Sequence, residues 1–594
     1  MTPDPTGHPE AHEPDTPWPD GNGGEEGERG GAPGTRGVVA GADPHPIDPT
    51  GAPAALDGAA LAPIAESEEP KLLGKAVGHG MSWIFAGTVL SKLAAFVTQF
   101  VLGWLLIDKD FGLYMTSLAV AGMVGVFRDG GVREFIVQRG EREYEGLIGP
   151  VFWMGLALSV ACGLVLAAAS PAVAWFYEEP RLVAMLLVIA ASIPVSTPAS
   201  IMQCKLRIQM RFADLSRITI VSALVRSAAT IGFAAALPEE HGALAFVLPL
   251  IVIALFEWGW TYRLVRERPW KRPAEPGRWW GLFKQTKWLV LSALSGIVLD
   301  FGPFAVAGRI IDQKIVGQFA FANQWVAQIG VLLSFNFQQV LFPTLTRLGD
   351  QPERLREASL RALRALMLAG SVSSVGLAVV AAPMESFLWG GKWAKAVGAL
   401  QVLGVIFPFR VTFGLTAAIM LAGGHFKRYF WLTLMEGTGI CIGAGIGAAV
   451  FGNATGIAAC AGGAMALGRL VVTMILLGGL GVPIARVVGA FMSWWLLAVG
   501  AGAAAIGVDR WLAVGDRVTP WAAARLPERR IAGIEAARLS TMAGDMAEGL
   551  LLGGVCGVVF LVGARLLMPG QLVDALNVAP GRIARPVKRL LRLR

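Results

Sequence analysis

The sequence predicts an all-α, polytopic membrane protein with about 14 transmembrane helices, and three observations carry that prediction. From residue 80 to residue 568, apolar stretches follow one another almost without interruption. Each is near the roughly 20 residues that cross a bilayer as helix. Of 594 residues, 54% are hydrophobic and only 16% charged, with a mean hydropathy of +0.56, whereas soluble chains carry roughly 25% charged residues. The 74 glycines suit a bundle whose helices approach closely.

In chain order, residues 1–70 are rich in Pro, Gly, Asp and Glu and lack a periodic apolar pattern. This composition buries no core and reads as a disordered acidic tail. It also lacks the basic start and apolar core of a signal peptide. The expected spans are 80–107, 111–127, 147–169, 181–203, 214–236, 242–264, 286–310, 316–342, 362–388, 397–423, 427–450, 454–480, 486–508 and 546–568. With the N-terminus inside, the inner loops hold Arg128, Arg133, Arg139 and Arg142, then Lys205 to Arg217, Arg263 to Lys287, Arg347 to Arg364, Lys427 and Arg428, and the basic tail. That is about 30 Lys and Arg against about a dozen outside, the asymmetry of the positive-inside rule. Both termini are therefore expected in the cytoplasm. The net charge of +8 reflects these loops beside an anionic inner leaflet rather than a nucleic-acid partner. The basic tail from Arg582 to Arg594 reads as an interfacial helix on anionic lipid. Loop 509–545, with Arg525, Arg529, Arg530 and Arg538, is expected to lie on the outer surface.

An internal repeat accompanies the spans. Ile107-Asp108-Lys109-Asp110-Phe111-Gly112-Leu113-Tyr114 joins spans one and two, and Ile311-Asp312-Gln313-Lys314-Ile315-Val316-Gly317-Gln318-Phe319 joins spans seven and eight. Ala199-Ser200-Ile201-Met202 ends span four, and Ala417-Ala418-Ile419-Met420 ends span ten. The offset is six spans each time, so the halves share an orientation, a transporter design with its site between repeats.

Several segments carry a family resemblance. Asp110-Phe111-Gly112-Leu113-Tyr114 opens span two, followed by Phe127-Arg128-Asp129-Gly130-Gly131-Val132 and Ile136-Val137-Gln138-Arg139. Leu341-Phe342-Pro343-Thr344-Leu345-Thr346-Arg347-Leu348, Pro352-Glu353-Arg354-Leu355-Arg356 and Trp389-Gly390-Gly391-Lys392-Trp393 continue it. In order and spacing, residues 75–480 resemble the polysaccharide and oligosaccharide-lipid flippases of the multidrug/oligosaccharidyl-lipid/polysaccharide exporter superfamily. The acidic tail and the 509–545 loop depart from that pattern.

The resemblance implies two six-helix lobes, residues 71–280 and 281–482, around a central cavity, with two extra helices, an outer loop and the basic tail in residues 483–594. It implies alternating-access flipping of an isoprenoid-diphosphate-linked oligosaccharide across the bacterial inner membrane for surface polysaccharide assembly. The partners it implies are that lipid-linked substrate, membrane lipids, a polysaccharide polymerase and a chain-length regulator.

The residues give an independent electrostatic argument. A charge at mid-helix costs about 2.5–3.5 kcal/mol even on the mild insertion scale. Lys92, Arg226, Arg410, Arg469, Asp300 and Glu436 lie well inside the expected spans. Four cations against two acids leave two positive charges for an acidic headgroup, and the Arg fork suits phosphate. Gln99 lies two turns from Lys92 on the same face and joins the candidate substrate-binding set. So do Gln324, Gln328 and Gln339, which fall within roughly 60° of one another on span eight and suit sugar hydroxyls. Asp300 and Glu436 read as ion-coupling groups or as ion-pair partners of a neighbouring Arg. Glu257, nearer a helix end, reads as interfacial. Arg128, Asp129 and Arg133 are candidates for a cytoplasmic gate. The plainer reading of each charge is snorkelling, a structural pair or topology, and that of the amides is interhelical bonding, worth only about 0.6 kcal/mol on average.

Enzyme signatures are weak. The six His are dispersed, and Cys162, Cys204, Cys441, Cys460 and Cys556 show no metal or disulfide spacing. Gly390-Gly391-Lys392 lacks the strand and upstream glycine of a phosphate loop. Asp108-Lys109-Asp110 has the Asp-x-Asp form of metal-dependent glycosyltransferases, but its loop is only a few residues long. No cofactor or metal is expected. A drug/cation antiporter of the same fold and a membrane glycosyltransferase or polymerase are the alternatives. An antiporter would favour an acidic cavity, and here cations outnumber acids.

Overall fold

The computed structural model describes residues 87, 90–128, 132–209, 211–330, 351–422, 425–524, 536–570 and 572. Gln339, Asp129, residues 1–70, Arg525 to Arg530 and the basic tail lie outside these residues. Among the described residues the fold is all-α, with no strand. The chain is a multi-pass membrane protein.

The helices are α1 (Leu90–Leu105), α2 (Asp108–Gly125), α3 (Val132–Tyr177), α4 (Arg181–Ile208), α5 (Phe212–Ala236), α6 (Leu244–Val265), α7 (Trp279–Ile310) and α8 (Gln313–Gly330). There follow α9 (Pro352–Trp389), α10 (Ala394–Ile406), α11 (Pro408–Val411), α12 (Phe413–Ala422), α13 (Phe426–Ile446), α14 (Ala454–Gly479), α15 (Ile484–Leu512), α16 (Val514–Ala523) and α17 (Ala536–Leu567). Ten of the described helices are long and apolar enough to span, or eleven when the bent pair Ala394–Ile406 and Pro408–Met420 counts as one. The sequence count of about 14 is higher because it includes three shorter or more polar helices. These are α1, 16 residues in its described part, and α2 and α8, 18 residues each.

Local chemistry explains several boundaries. Asp108 and Asp110 occupy the first turn of α2, where carboxylates favour the positive end of the helix dipole. The Asp110 carboxylate accepts from the Ile107 amide at 3.3 Å. The segment expected as span ten bends by 50° at Phe407–Pro408, because proline has no N–H to continue the ladder. At the end of α9, Gly390 and Gly391 take positive φ of 64° and 86°, a left-handed exit that glycine adopts without strain. Loop 509–545 contains an unexpected helix, α16, packed on α17.

Packing follows the repeat. Helices α3, α4, α6 and α5 form one chain of neighbours, and α7, α13, α14, α10 and α9 another. Helix α2 joins them by packing on α7 and α8, while α15 and α17 pack on α9. The two repeated turns meet directly. A Cβ on Gly112 would overlap the carbonyl oxygen of Gln313, and one on Gly317 would overlap that of Asp108. The approach is reciprocal in side chains as well. Gln318 donates to Asp108 at 2.8 Å, and Thr116 donates to Gln313 at 3.1 Å. The α1–α2 and α7–α8 turns thus lie at one end of the bundle, the hairpin end.

Gly317→Ala is expected to destabilise the protein by about 1–3 kcal/mol through overpacking of backbone on backbone. Gly439→Ala, on α13 where an added Cβ meets nothing within 4 Å, should leave the melting temperature in detergent unchanged or higher. Equal melting temperatures for the two variants would show that the crossing is not tight.

Candidate functional site

A cavity of about 720 Å³ lies among α1, α2, α5, α6 and α8, with contributions from α4 and α7. Its size falls within the roughly 300–1,000 Å³ of small-molecule pockets. Lys92 and Gln99 reach it from α1, Arg226 from α5, and Gln324 and Gln328 from α8. Five of the candidate substrate-binding residues thus converge on one space. Lys92 and Arg226 make no ion pair among the described residues, in contrast to the charges of the other half.

Helix α5 runs parallel to α1. Gly87 faces Ile220, and the Ser227 hydroxyl donates to the Ala94 carbonyl at 3.3 Å. This pairing sets Lys92 and Arg226 at the same height. Gln203 of α4, Tyr114 of α2 and Glu257 of α6 complete the polar lining. Glu257 therefore faces the cavity rather than serving only the interface expected from its position near a helix end. Sequence reasoning also passed over Gln203, Tyr114 and the small hydroxyl residues. A signal for the last was present: Ser91, Lys92, Ala95, Thr98 and Gln99, and Thr219, Ser222, Arg226 and Thr230, repeat at the three-to-four spacing of one helix face.

The other four candidate charges sit together elsewhere, and none lines this cavity. Arg410 of α11 pairs with Asp300 of α7, and Arg469 of α14 pairs with Glu436 of α13. Arg469 also donates to Thr416 at 3.1 Å and lies 4.8 Å from the centroid of the Phe413 ring. Arg469 and Glu436 are buried, at 2% and 4% exposure, whereas Asp300 and Arg410 are half-exposed. The pairing option raised for Asp300 and Glu436 is the arrangement in the structure. Of the gate candidates, Arg128 follows α2 and accepts at its carbonyl from Ser159 at 2.9 Å. Arg133 lies in the first turn of α3.

The hairpin end of the cavity is closed. The Gly103 and Trp104 carbonyls, in the last turn of α1, lack intrahelical donors, and these and the Phe100 carbonyl one turn earlier receive side chains from the Trp389–Trp393 segment. Trp389 donates to the Phe100 carbonyl at 3.2 Å, Trp393 to that of Gly103 at 2.9 Å and Lys392 to that of Trp104 at 2.7 Å. Trp104 donates back to the Leu388 carbonyl at 2.6 Å. A cation here complements the negative end of the α1 dipole. Burial pushes the Lys392 ammonium below the usual lysine range, against the opposing pull of Asp108, Asp110 and Glu239. Trp393 stacks on Phe321 with centroids 3.9 Å apart. Phe111, Phe321, Trp389 and Trp393 are all buried and form a dry plug over the cavity. Among the described residues no group of three or more His, Cys, Asp or Glu is arranged to hold a metal ion.

The chain matches the family described as polysaccharide biosynthesis protein over residues 101–398. It is similar to the teichuronic acid biosynthesis protein TuaB of Bacillus subtilis (strain 168), with 23% identity over 361 residues covering 60% of this chain and 73% of TuaB. It is also similar to the succinoglycan biosynthesis transport protein ExoT of Rhizobium meliloti (strain 1021), with 23% identity over 352 residues covering 57% of this chain and 67% of ExoT. Among solved structures its fold is similar to that of the lipid II flippase MurJ in an inward closed conformation. That match has a TM-score of 0.59 and 12% identity, covering 82% of this chain and 99% of MurJ.

The buried pair gives a stability test. Glu436→Leu should destabilise the protein by about 3–5 kcal/mol, because it strands the Arg469 guanidinium. The double variant Glu436→Leu/Arg469→Met should recover most of that loss. Thermal unfolding in detergent measures both, and equal melting temperatures for single and double variants would contradict the pairing.

Proposed function

This chain belongs to the polysaccharide biosynthesis protein family, and from that premise we propose that it flips an isoprenoid-diphosphate-linked oligosaccharide across the bacterial inner membrane. The observation that carries the reading is the pair of unpaired cations, Lys92 and Arg226, facing one cavity from two helices among uncharged amides. A diphosphate withdrawn from water needs charge-assisted hydrogen bonds, and guanidinium and ammonium groups supply them. Carboxamides at Gln99, Gln203, Gln324 and Gln328 suit sugar hydroxyls, which both donate and accept. The name of ExoT as a transport protein supports transport rather than catalysis.

The wider picture is also ours. Helices α1–α6 and α7–α14 act as two lobes that rock about the α2–α8 crossing. Arg128, Asp129 and Arg133 gate the cytoplasmic side, and Gln339 is a further candidate substrate-binding amide by its sequence position. Both chain termini are cytoplasmic, and a polysaccharide polymerase and chain-length regulator receive the product. Asp300–Arg410 and Glu436–Arg469 stand outside the cationic cavity and rearrange during the cycle or hold the second lobe together. A cationic drug as cargo fits less well, because Glu257 is the one acid among the cavity's charged residues and two cations face it.

Lys92→Ala and Arg226→Ala should each lower flipping of a fluorescent lipid-linked oligosaccharide in proteoliposomes by about 10-fold to 100-fold, the worth of a charged hydrogen bond. Membrane insertion should be normal in both. Arg226→Lys should retain part of the activity if charge alone matters and little if the bidentate fork does. Wild-type flipping by both alanine variants would refute the proposal.

A further inference from the structure

The cavity is longer than its charged level, and its hairpin end is built differently. Lys92 lies 13 residues before Leu105, about 20 Å along α1, whereas Gln99 lies about 9 Å from that end. Because α5 runs parallel to α1, Thr230 stands one turn beyond Arg226 in the same direction. Tyr114, six residues into α2, reaches the cavity at the depth of Gln99. Tyr114 stacks on Phe246 with ring centroids 4.3 Å apart and an angle of 10°, and both rings line the space. This end is therefore an aromatic floor with an amide and a hydroxyl beside it, the amide about 10 Å along α1 from Lys92 and the hydroxyl about 6 Å along α5 from Arg226.

Gln99 is the telling residue. It is 7% exposed, and its amide nitrogen has no hydrogen-bond partner. A buried unpaired donor costs about 1–3 kcal/mol, and such a group in a folded protein calls for an explanation. Here the amide lines a cavity, so a ligand acceptor can satisfy it. Ser222, also 7% exposed with its hydroxyl unpartnered, lines the same cavity on α5, one turn from Arg226 on the side away from the hairpin end.

We infer that the hairpin end of the cavity is a sugar-reading subsite, in which Gln99 and Thr230 bond ring hydroxyls while the Tyr114–Phe246 stack meets the apolar face of the ring. The inference rests on the flippase reading of the same cavity. A second phosphate is not favoured at this end, because Gln99, Thr230, Tyr114 and Phe246 carry no charge and the Arg226 fork is already the partner of the first. An alkyl chain does not fit it either, because the unpaired amide would stay unpaired. A sugar ring offers both surfaces at once, hydroxyls at its rim and C–H groups on its faces. The cargo then lies with its diphosphate at the level of Lys92 and Arg226 and its first sugar at the aromatic floor. A site that bonds a substrate hydroxyl rejects the analogue that lacks it, so this end sets which cargo is accepted.

The test measures binding to the full-length protein in nanodiscs. One probe is a polyprenyl diphosphate without sugar. The others are the same lipid carrying one hexose, one N-acetylhexosamine or one uronic acid. The wild type should bind at least one glycosylated probe about 10-fold tighter than the bare lipid. In Gln99→Leu and in Tyr114→Leu that ratio should fall to about one, whereas in Lys92→Ala both affinities should fall together. A ratio of one in the wild type, or a preserved ratio in either Gln99→Leu or Tyr114→Leu, overturns the sugar subsite. Unchanged affinity of Lys92→Ala for both the bare and the glycosylated lipid, with the ratio still lost in Gln99→Leu and Tyr114→Leu, overturns the diphosphate reading and leaves the subsite standing.

Discussion

The close crossing of α2 and α8 at Gly112 and Gly317 is the constraint on which the hairpin end depends. Each glycine lies against the first-turn carbonyl of the other helix, and each helix sends one side chain to the opening residue of its partner. No side chain fits between the backbones. This geometry explains why the two turns are the segments that repeat in the sequence: each must present a glycine four residues after its helix start. It also fixes how the hairpins can lie, and so brings Phe111 and Phe321 into the same buried plug, with ring centroids 5.8 Å apart.

The plug depends on that crossing and completes it. The indole and ammonium groups of the Trp389–Trp393 segment satisfy carbonyls in the last two turns of α1. Glu385 in turn accepts from the Trp393 amide at 2.7 Å, so the segment is itself held from below. The rings of Phe111, Phe321, Trp389 and Trp393 are buried at this end, while Trp104 and Lys392 form its exposed rim. The cavity beneath is therefore closed towards the hairpin turns, and its charged residues lie about 15–20 Å further down their helices.

Much of this was legible in the sequence because the signals are strong there. Ten or eleven of the expected spans fall on described helices long and apolar enough to cross a bilayer, since apolar length is a direct consequence of bilayer thickness. The break at Pro408 and helix α16 were not foreseen. The first had a signal in Pro408 that the apolar run masked, because both sides of the break pack on the same helices, α9 and α14, and the second is an amphipathic helix whose apolar face is defined by α17. Within the site, Lys92, Gln99, Arg226, Gln324 and Gln328 were reached by asking what a charge or amide costs inside a membrane. Glu257 and Gln203 were not placed, because distance from a helix end does not say which way a side chain points.

Charge counting found how many cations would be left over but not which ones. Four cations and two acids implied two unpaired positive charges, and by position alone Lys92, Arg226, Arg410 and Arg469 stood equal. Geometry divides them. Asp300 and Glu436 lie on helices that pack against one another, α7 and α13, and each takes the Arg nearest to it. A buried pair stripped of one partner is expensive, while an intact pair adds little net stability, so these four residues form a closed electrostatic unit. Lys92 and Arg226 have no such partners, and a bare cation in hydrocarbon would carry the full insertion cost. Their presence on neighbouring helices beside one cavity, with Glu257 as the one acid lining it, suits a space that is wet or filled by an anion, which makes the cavity, and not the larger number of mid-helix charges, the physical basis of the functional reading.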